Sequence, residues 1–254
     1  MKKKDLVIIG ILTILIAFME ISGLPSLLFI NIKILDIVPF YWTLMFNFII
    51  IGLISFTTLR CFVPHWEIGL NKNGIQAGMK KYGIIGIAVG IISGIAFYIG
   101  LQPFDYQPTI WNVLVEGIIY YAGVAFIEEL YIRGFLLNFI EKCFEKSSNN
   151  TSIAIIVSSV VFGLGHIFGT LGQSLLVIIA KVIWTIAMGL YFGTIYKKTN
   201  NLWIPIIVHF IIDICALPYC FTTMKGYSNI SLYIIIPVYI VLGVYSLSIM
   251  KRKI

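Results

Sequence analysis

The stretch YAGVAFIEELYIRGFLLN, residues 121–138, decides the fold of this protein. It is predicted to form an apolar helix that carries two adjacent carboxylates and an arginine, namely Glu128, Glu129 and Arg133. An ionisable side chain inside a membrane span costs about 3 kcal/mol on insertion scales. Three such groups in one short segment therefore require partners, and these partners indicate the chemistry of the protein.

The composition defines the class of protein. The 254 residues are 59% hydrophobic and 11% charged, whereas ordinary soluble domains contain about 25% charged residues. The chain is therefore predicted to be an integral membrane protein that forms one domain over residues 1–254. Its net charge of +7 follows from the loop asymmetry described below, so a nucleic-acid partner is not expected.

Long apolar segments define the expected architecture. Segments of about 20 apolar residues can cross a bilayer, and about eight of them predict an all-α, polytopic membrane fold. The first follows MKKK and is too long for the apolar core of a signal peptide, so we expect an uncleaved helix. The predicted spans are residues 6–30, 39–61, 83–101, 111–139, 152–168, 174–196, 202–217 and 230–250.

The basic residues are distributed unevenly between the two sides of this topology. Most of the 18 lysines and arginines fall on one side, whereas Lys33 and Lys225 fall on the other. Positively charged loops stay cytoplasmic, so both termini and the loops 142–148 and 197–201 are predicted to be cytoplasmic. The basic residues on this side are Lys2, Lys3, Lys4, Arg60, Lys72, Lys80, Lys81, Lys142, Lys146, Lys197, Lys198, Lys251, Arg252 and Lys253.

Three further features concern packing and the membrane surface. Gly86, Gly90 and Gly94 recur at four-residue spacing in the third span, which permits close approach of another helix. The segment 64–83 mixes charged and apolar residues and predicts a short amphipathic helix at the cytoplasmic surface. Lys181, near the outer start of the sixth span, is expected to extend its ammonium group to the interface.

Helical spacing separates the two glutamates. Residues four apart share a face of a helix, whereas adjacent residues point about 100° apart. Glu129 and Arg133 can therefore form an ion pair, while the Glu128 carboxylate remains available to a cavity. On these residues alone, a purely structural network inside the membrane is as good an interpretation as an active site.

Two histidines favour an active site. His166 lies in the fifth span, and His209 lies four residues before Asp213 in the seventh. At 1.5 Å per residue, Glu128 and these three residues lie about 12–21 Å from the cytoplasmic ends of their helices. Four polar side chains from three helices are thus predicted to meet near the middle of the membrane.

These residues form three motifs that resemble those of a known family. The motifs are Glu128-Glu129-x-x-x-Arg133, Phe162-x-x-x-His166 and His209-x-x-x-Asp213. They resemble the signature motifs of the CPBP intramembrane endopeptidases, which include type II CAAX prenyl proteases and the bacteriocin-processing or immunity proteins of the Abi group. The motif region covers about residues 111–217.

The resemblance implies an intramembrane peptidase whose cavity opens toward the cytoplasm or the bilayer. Glu128 would activate water with the help of His166, and Glu129 with Arg133 would hold the catalytic helix in place. The substrate would be a peptide or a lipidated protein near the cytoplasmic side, and a peptide pheromone or bacteriocin precursor is favoured. A bacterial plasma membrane is the expected location.

Two mechanisms stay open at His209 and Asp213. In the first, these two side chains would stabilise the oxyanion. In the second, they would complete a divalent-metal site, for instance for zinc, with Glu128 and His166 as further candidate ligands. The family often has Asn at the last motif position, whereas an ionised Asp213 can only accept hydrogen bonds. A protonated Asp213 would donate as Asn does, and we favour this mechanism, which requires no cofactor.

Two other classes of function remain as alternatives. A non-proteolytic bacteriocin-immunity or scaffold membrane protein would bind a peptide or a partner at the same residues. A proton-coupled transporter would also bury carboxylates and histidines, although the sequence shows no repeated half of the kind that transporters contain. Peptide cleavage by the wild type and by Glu128→Gln separates the peptidase from the binding protein.

Overall fold

A computed structural model of the protein describes residues 3–22, 39–62, 67–100, 110–217 and 229–251. Within these ranges the chain forms eight long helical segments and no β-strand. The segments are α1 (Lys3–Ser22), α2 (Pro39–Phe62), α3 (Ile75–Ile99), α4 (Ile110–Glu129, extended by Leu130–Leu137 and Asn138–Cys143), α5 (Asn150–Gly165), α6 (Leu175–Thr199), α7 (Trp203–Cys215) and α8 (Asn229–Met250).

Several of these helices are suited to a bilayer. Among the described residues, four helices are long and apolar enough to cross a membrane, and α7 is a shorter apolar helix. The predicted all-α membrane fold is therefore confirmed, while the count of eight spans remains a prediction. The four long apolar helices are Ile75–Ile99, Asn150–Thr170, Leu175–Thr199 and Ile230–Met250.

The glycine stripe of α3 packs against α7. A β-carbon at Gly86 would come within 2.2 Å of a Val208 side-chain atom, and one at Gly94 within 2.7 Å of the Cys215 carbonyl oxygen. Only glycine permits this approach, as the spacing in the sequence predicts. The contact supports α7, the helix that carries the third motif.

Helices α5 and α6 also approach closely. A β-carbon at Gly163 would come within 2.3 Å of the Ile186 side chain, and one at Gly189 within 2.8 Å of Ser159. These two contacts hold the second half of α5 against α6. Since the second motif ends α5, this packing places the motif beside α6.

The loop before α3 is bound to the start of α7. The buried Asn201 donates from Nδ2 to the carbonyl oxygens of Asn71 and Asn73 at 3.0 and 2.7 Å. Gly69 has a φ of 72°, a left-handed conformation that glycine adopts at little cost. The predicted amphipathic helix is therefore wrong for residues 67–74, because Asn201 pairs with this backbone in an irregular loop.

Candidate active site

The first motif lies where α4 changes its helical geometry. Glu128 and Glu129 end the α-helical part, and the π-helical segment Leu130–Leu137 follows directly. Such π turns are rare and occur frequently at functional sites. The side chain of Asn138 donates to the Gly134 carbonyl at 2.9 Å, which supports this segment from its C-terminal end. Sequence spacing predicted an α-helix here and gave no signal for the π turns.

Glu129 binds both a cation and a histidine. It is fully buried, as is Arg133, and its Oε1 accepts from Arg133 Nη1 at 2.8 Å. The same oxygen lies 2.9 Å from His209 Nδ1. The predicted ion pair is confirmed, whereas the contact with His209 was not predicted. Because a carboxylate oxygen accepts, Nδ1 donates, and Glu129 thereby fixes the orientation of the imidazole.

Arg133 joins three helices. Its guanidinium carbon lies 4.5 Å from the centre of the Phe162 ring and 5.3 Å from that of Phe192. Its Nη2 donates to the carbonyl oxygen of Gly189 at 3.4 Å. A cation between aromatic faces is stabilised by their quadrupoles, so the arginine ties α4 to α5 and α6. This contact gives Phe162 of the second motif a structural role.

The other nitrogen of His209 faces the remaining carboxylates. Nε2 lies 3.8 Å from Glu128 Oε2 and 3.4 Å from Asp213 Oδ2. Glu128 is 8% exposed, and among the described residues its Oε2 has no hydrogen-bond partner. The structure therefore brings Glu128, His209 and Asp213 together, with the two carboxylates on the side of the imidazole that Glu129 leaves open.

His166 lies beside this cluster at the end of α5. Its Nδ1 donates to the Phe162 carbonyl at 2.8 Å, so Nε2 of the neutral ring is left as an acceptor. The Phe162 ring contacts His166 and His209 edge-on, with ring centres 4.7 and 6.0 Å apart. His166 is thus connected to the other motif residues through Phe162.

One further charged residue of α6 lies outside the motifs. Lys181 is half-buried, and its Nζ lies 4.9 Å from the centre of the Trp184 ring. The sequence predicts a lysine that extends to the interface, and the contact with Trp184 was not predicted.

The described residues do not form the ligand set of a metal ion. Among the residues that the structure describes, no group of three or more His, Cys, Asp or Glu side chains is arranged to hold a metal. His209 Nδ1 is already bonded to Glu129, so only its Nε2 is directed at the other carboxylates. We therefore assign no metal ligands among the candidate residues Glu128, His166, His209 and Asp213.

The geometry defines a class of site, a buried carboxylate beside an oriented histidine inside a helical membrane protein. Residues 109–215 match the family model described as "Type II CAAX prenyl endopeptidase Rce1-like", and this segment contains all three motifs. No curated protein matches the chain. This segment, less than half of the chain, is thus similar to the CAAX protease family of intramembrane peptidases, as the motifs indicate.

Proposed function

We propose that this protein is an intramembrane endopeptidase in which Glu128 is the general base. One observation carries the proposal: Glu128 Oε2 is buried, makes no hydrogen bond to the described residues and lies 3.8 Å from His209 Nε2. The neighbouring Glu129 is already bonded to Arg133 and His209. A carboxylate oxygen without a hydrogen-bond partner can accept a proton from water, as a general base must.

The proposed reaction is hydrolysis of an amide bond. Glu128 takes a proton from water while the water oxygen bonds to the carbonyl carbon, and the carbonyl oxygen becomes an oxyanion. The tetrahedral intermediate then re-forms the C=O bond, the C–N bond breaks, and the leaving nitrogen takes the proton from Glu128. His166 Nε2 accepts the second hydrogen of the water and orients it for attack. One water is consumed for each bond that is cleaved.

The remaining motif residues support these two groups. Glu129 and Arg133 position α4 and fix the imidazole of His209, so they are positioning residues. His209 in its doubly protonated form, with Nδ1 bonded to Glu129, donates from Nε2 to the oxyanion. Because these groups are buried, their charges act on the reaction with little screening by water.

The proposed substrate is a short peptide or a lipidated protein that enters from the cytoplasmic side or from the bilayer. A peptide pheromone or bacteriocin precursor is favoured, in a bacterial plasma membrane and with both termini of the enzyme cytoplasmic. The matched family model is named for a prenyl endopeptidase. A farnesylated peptide therefore belongs in the first experiment beside unmodified ones.

The test compares the wild type with Glu128→Gln in membranes that contain equal amounts of each protein. A peptide library, unmodified and farnesylated, is added, and the products are identified by mass spectrometry. We expect cleavage by the wild type and a loss of about 10²–10⁴-fold in Glu128→Gln, as for removal of a general base. Glu67→Gln, an exposed glutamate of the loop before α3, is the matched control and retains wild-type cleavage.

Two outcomes contradict this proposal in different ways. Near-normal cleavage by Glu128→Gln means that another group activates the water. If the wild type binds peptides but cleaves none, the protein is an immunity or scaffold protein and not an endopeptidase. Thermal unfolding of both proteins is measured alongside, so that a folding defect in Glu128→Gln is not mistaken for loss of a base.

A further inference from the structure

The hydroxyl of Tyr191 joins α6 to the backbone of α3. It donates to the carbonyl oxygen of Tyr82 and accepts from the backbone N–H of Gly86, whose nitrogen lies 3.1 Å from the hydroxyl oxygen. Residues 82 and 86 are four apart, which is the spacing of the hydrogen bonds along a regular α-helix. The hydroxyl therefore bridges a carbonyl and an N–H that would bond to each other in a regular helix, and it uses both its donor and an acceptor lone pair.

This bridge lies where α3 changes its helical geometry. Residues Met79–Gly83 are π-helical, and regular α-helix begins at Ile84. A side chain that inserts into the hydrogen-bond ladder is one cause of bending in helices. The Tyr191 side chain is fully buried, and a β-carbon at Gly86 would come within 2.9 Å of its ring. Glycine at position 86 therefore admits the tyrosine, and the tyrosine sets the local geometry of α3.

Both sides of this bridge lead to His209. On α6, Phe192 follows Tyr191 in the chain, and its ring stacks on the His209 imidazole with ring centres 4.9 Å apart and planes 29° apart. On α3, Gly86 packs against the side chain of Val208, the residue before His209. The hydroxyl thus links the helix that stacks on the imidazole to the helix that supports α7 directly beside it.

The stacking contact determines which way the imidazole faces. The hydrogen bond from Nδ1 to Glu129, at 2.9 Å, fixes the position of that nitrogen, but it constrains the tilt of the ring less. The face of Phe192 restricts this tilt, and the direction of Nε2 depends on it. Nε2 is the atom that donates to the oxyanion in the proposed reaction, and such a donor is effective only when it is oriented before the reaction starts.

We propose that Tyr191 is a positioning residue for His209. Its hydroxyl holds α6 against α3, so that Phe192 keeps the imidazole plane in the orientation in which Nε2 meets the oxyanion. In this role the tyrosine contacts neither the substrate nor the attacking water, and it keeps its proton throughout. The inference rests on the proposed endopeptidase function and adds to it a residue outside the three motifs.

Removal of the hydroxyl is expected to affect activity more than stability. In Tyr191→Phe the ring still fills its place, and the Tyr82 carbonyl can accept directly from the Gly86 N–H, as in a regular α-helix. Helix α6 then loses its bond to α3, and Phe192 can shift relative to His209. We expect the unfolding temperature to fall by about 2–4 °C, as for the loss of one hydrogen bond in a chain of this size.

The test uses the purified full-length protein in phospholipid vesicles and a quenched fluorescent version of a peptide that the wild type cleaves. We expect Tyr191→Phe to lower kcat about 10-fold or more, because misplacement of a group by about 1 Å can cost about 10²-fold. KM should stay nearly unchanged, as when an interaction of the transition state is lost. Tyr196→Phe is the matched control and leaves kcat at the wild-type value. It removes the same atom from a buried tyrosine of the same helix, whose hydroxyl accepts from Asn138 Nδ2 at 3.0 Å.

Two further variants test whether Tyr191 acts through its hydrogen bonds and through Phe192. Replacement of Tyr191 by 4-aminophenylalanine keeps a donor at the same position and should recover most of the lost kcat. Phe192→Leu removes the ring that stacks on His209. The double variant Tyr191→Phe/Phe192→Leu should have the same kcat per folded molecule as Phe192→Leu alone, because both changes remove one constraint on the imidazole.

The outcomes separate this inference from the proposed function. If Glu128→Gln is inactive while Tyr191→Phe has the wild-type kcat per folded molecule, the positioning role is wrong and the endopeptidase stands. If Glu128→Gln cleaves near-normally, the proposed function fails, and the inference fails with it. Losses in kcat that multiply in the double variant mean that Tyr191 does not act through Phe192, which also overturns the inference. An equal loss of kcat in Tyr196→Phe overturns it as well, because any buried hydroxyl of α6 would then have the same effect.

Discussion

Two ion pairs of α4 differ in their access to water. Glu129 and Arg133 pair at 2.8 Å with neither side chain exposed. Glu141, near the end of the same helix, pairs with Lys197 of α6 at 2.6 Å, and these side chains are 23% and 18% exposed. Both pairs have additional partners, since Glu129 also binds His209 and Lys197 also binds Asn138.

The comparison teaches which part of the helix can tolerate change. When one partner of the inner pair, Glu129–Arg133, is lost, the remaining charge stays in a low-dielectric environment without water, which is strongly destabilising. When one partner of the outer pair, Glu141–Lys197, is lost, water can solvate the remaining group. The inner pair is therefore required for folding, whereas the outer pair makes a smaller contribution to the stability of the fold.

The largest effect is expected for the inner pair. Arg133→Met leaves Glu129 buried and unneutralised, and we expect a loss of about 3–5 kcal/mol in the free energy of unfolding. Glu129→Gln has a similar effect and also releases His209. Unfolding in detergent with increasing denaturant measures both, and a loss below about 1 kcal/mol in either variant would mean that the pair is not a structural requirement. The double variant should cost less than the sum of the two.

An intermediate effect is expected at the outer pair. Lys197→Met removes hydrogen bonds to Glu141 and Asn138, and we expect a loss of about 1 kcal/mol. The loss is limited because Glu141 still accepts from Thr151 at 2.5 Å and is open to water. The same unfolding measurement applies. A loss as large as that of Arg133→Met would show that exposure does not distinguish the two pairs.

The smallest effect is expected at the end of α4, where Lys142 of the last turn meets the following loop. Lys142 pairs with Glu145, and both side chains are exposed, at 38% and 53%. The hydrogen bond from Lys142 lowers the pKa of Glu145, so its contribution is present above the unfolded pKa of a glutamate. That contribution is lost as the pH falls through the lowered folded pKa. Lys142→Gln should therefore lower the unfolding temperature slightly at neutral pH and leave it unchanged in strong acid. A larger change in acid would contradict a stabilising pair between Lys142 and the ionised Glu145.

The sequence predicted those contacts that depend on helical spacing. Residues four apart meet on a regular helix, and this places Glu129 on Arg133 and His209 beside Asp213, as observed. The glycine stripe of α3 was predicted for the same reason, since small residues at this spacing form a groove on one face. The motifs then indicated which helices share the polar residues.

Contacts between helices could not be predicted from spacing. The bond from His209 to Glu129 depends on how α7 crosses α4, and the bond from Tyr191 to Tyr82 depends on how α6 packs against α3. Neither crossing is encoded in the period of one segment. The π-helical geometry and the loop bound by Asn201 were missed because both depend on hydrogen bonds that compete locally with the regular α-helix.

The π-helical segment of α4 has a consequence for how such chains can change in length. A π turn closes from residue i to i+5, one residue more than an α turn, so it holds an additional residue without interrupting the helix. Loss of one residue between 130 and 137 would restore α turns and leave the following residues in the same rotational phase, because the π segment contains the additional residue. Glu141 would then still face Lys197, and the two glutamates upstream would keep their orientation. A single deletion is therefore expected to be tolerated better in this segment than in the regular turns of α4, where it would rotate all following residues by about 100°.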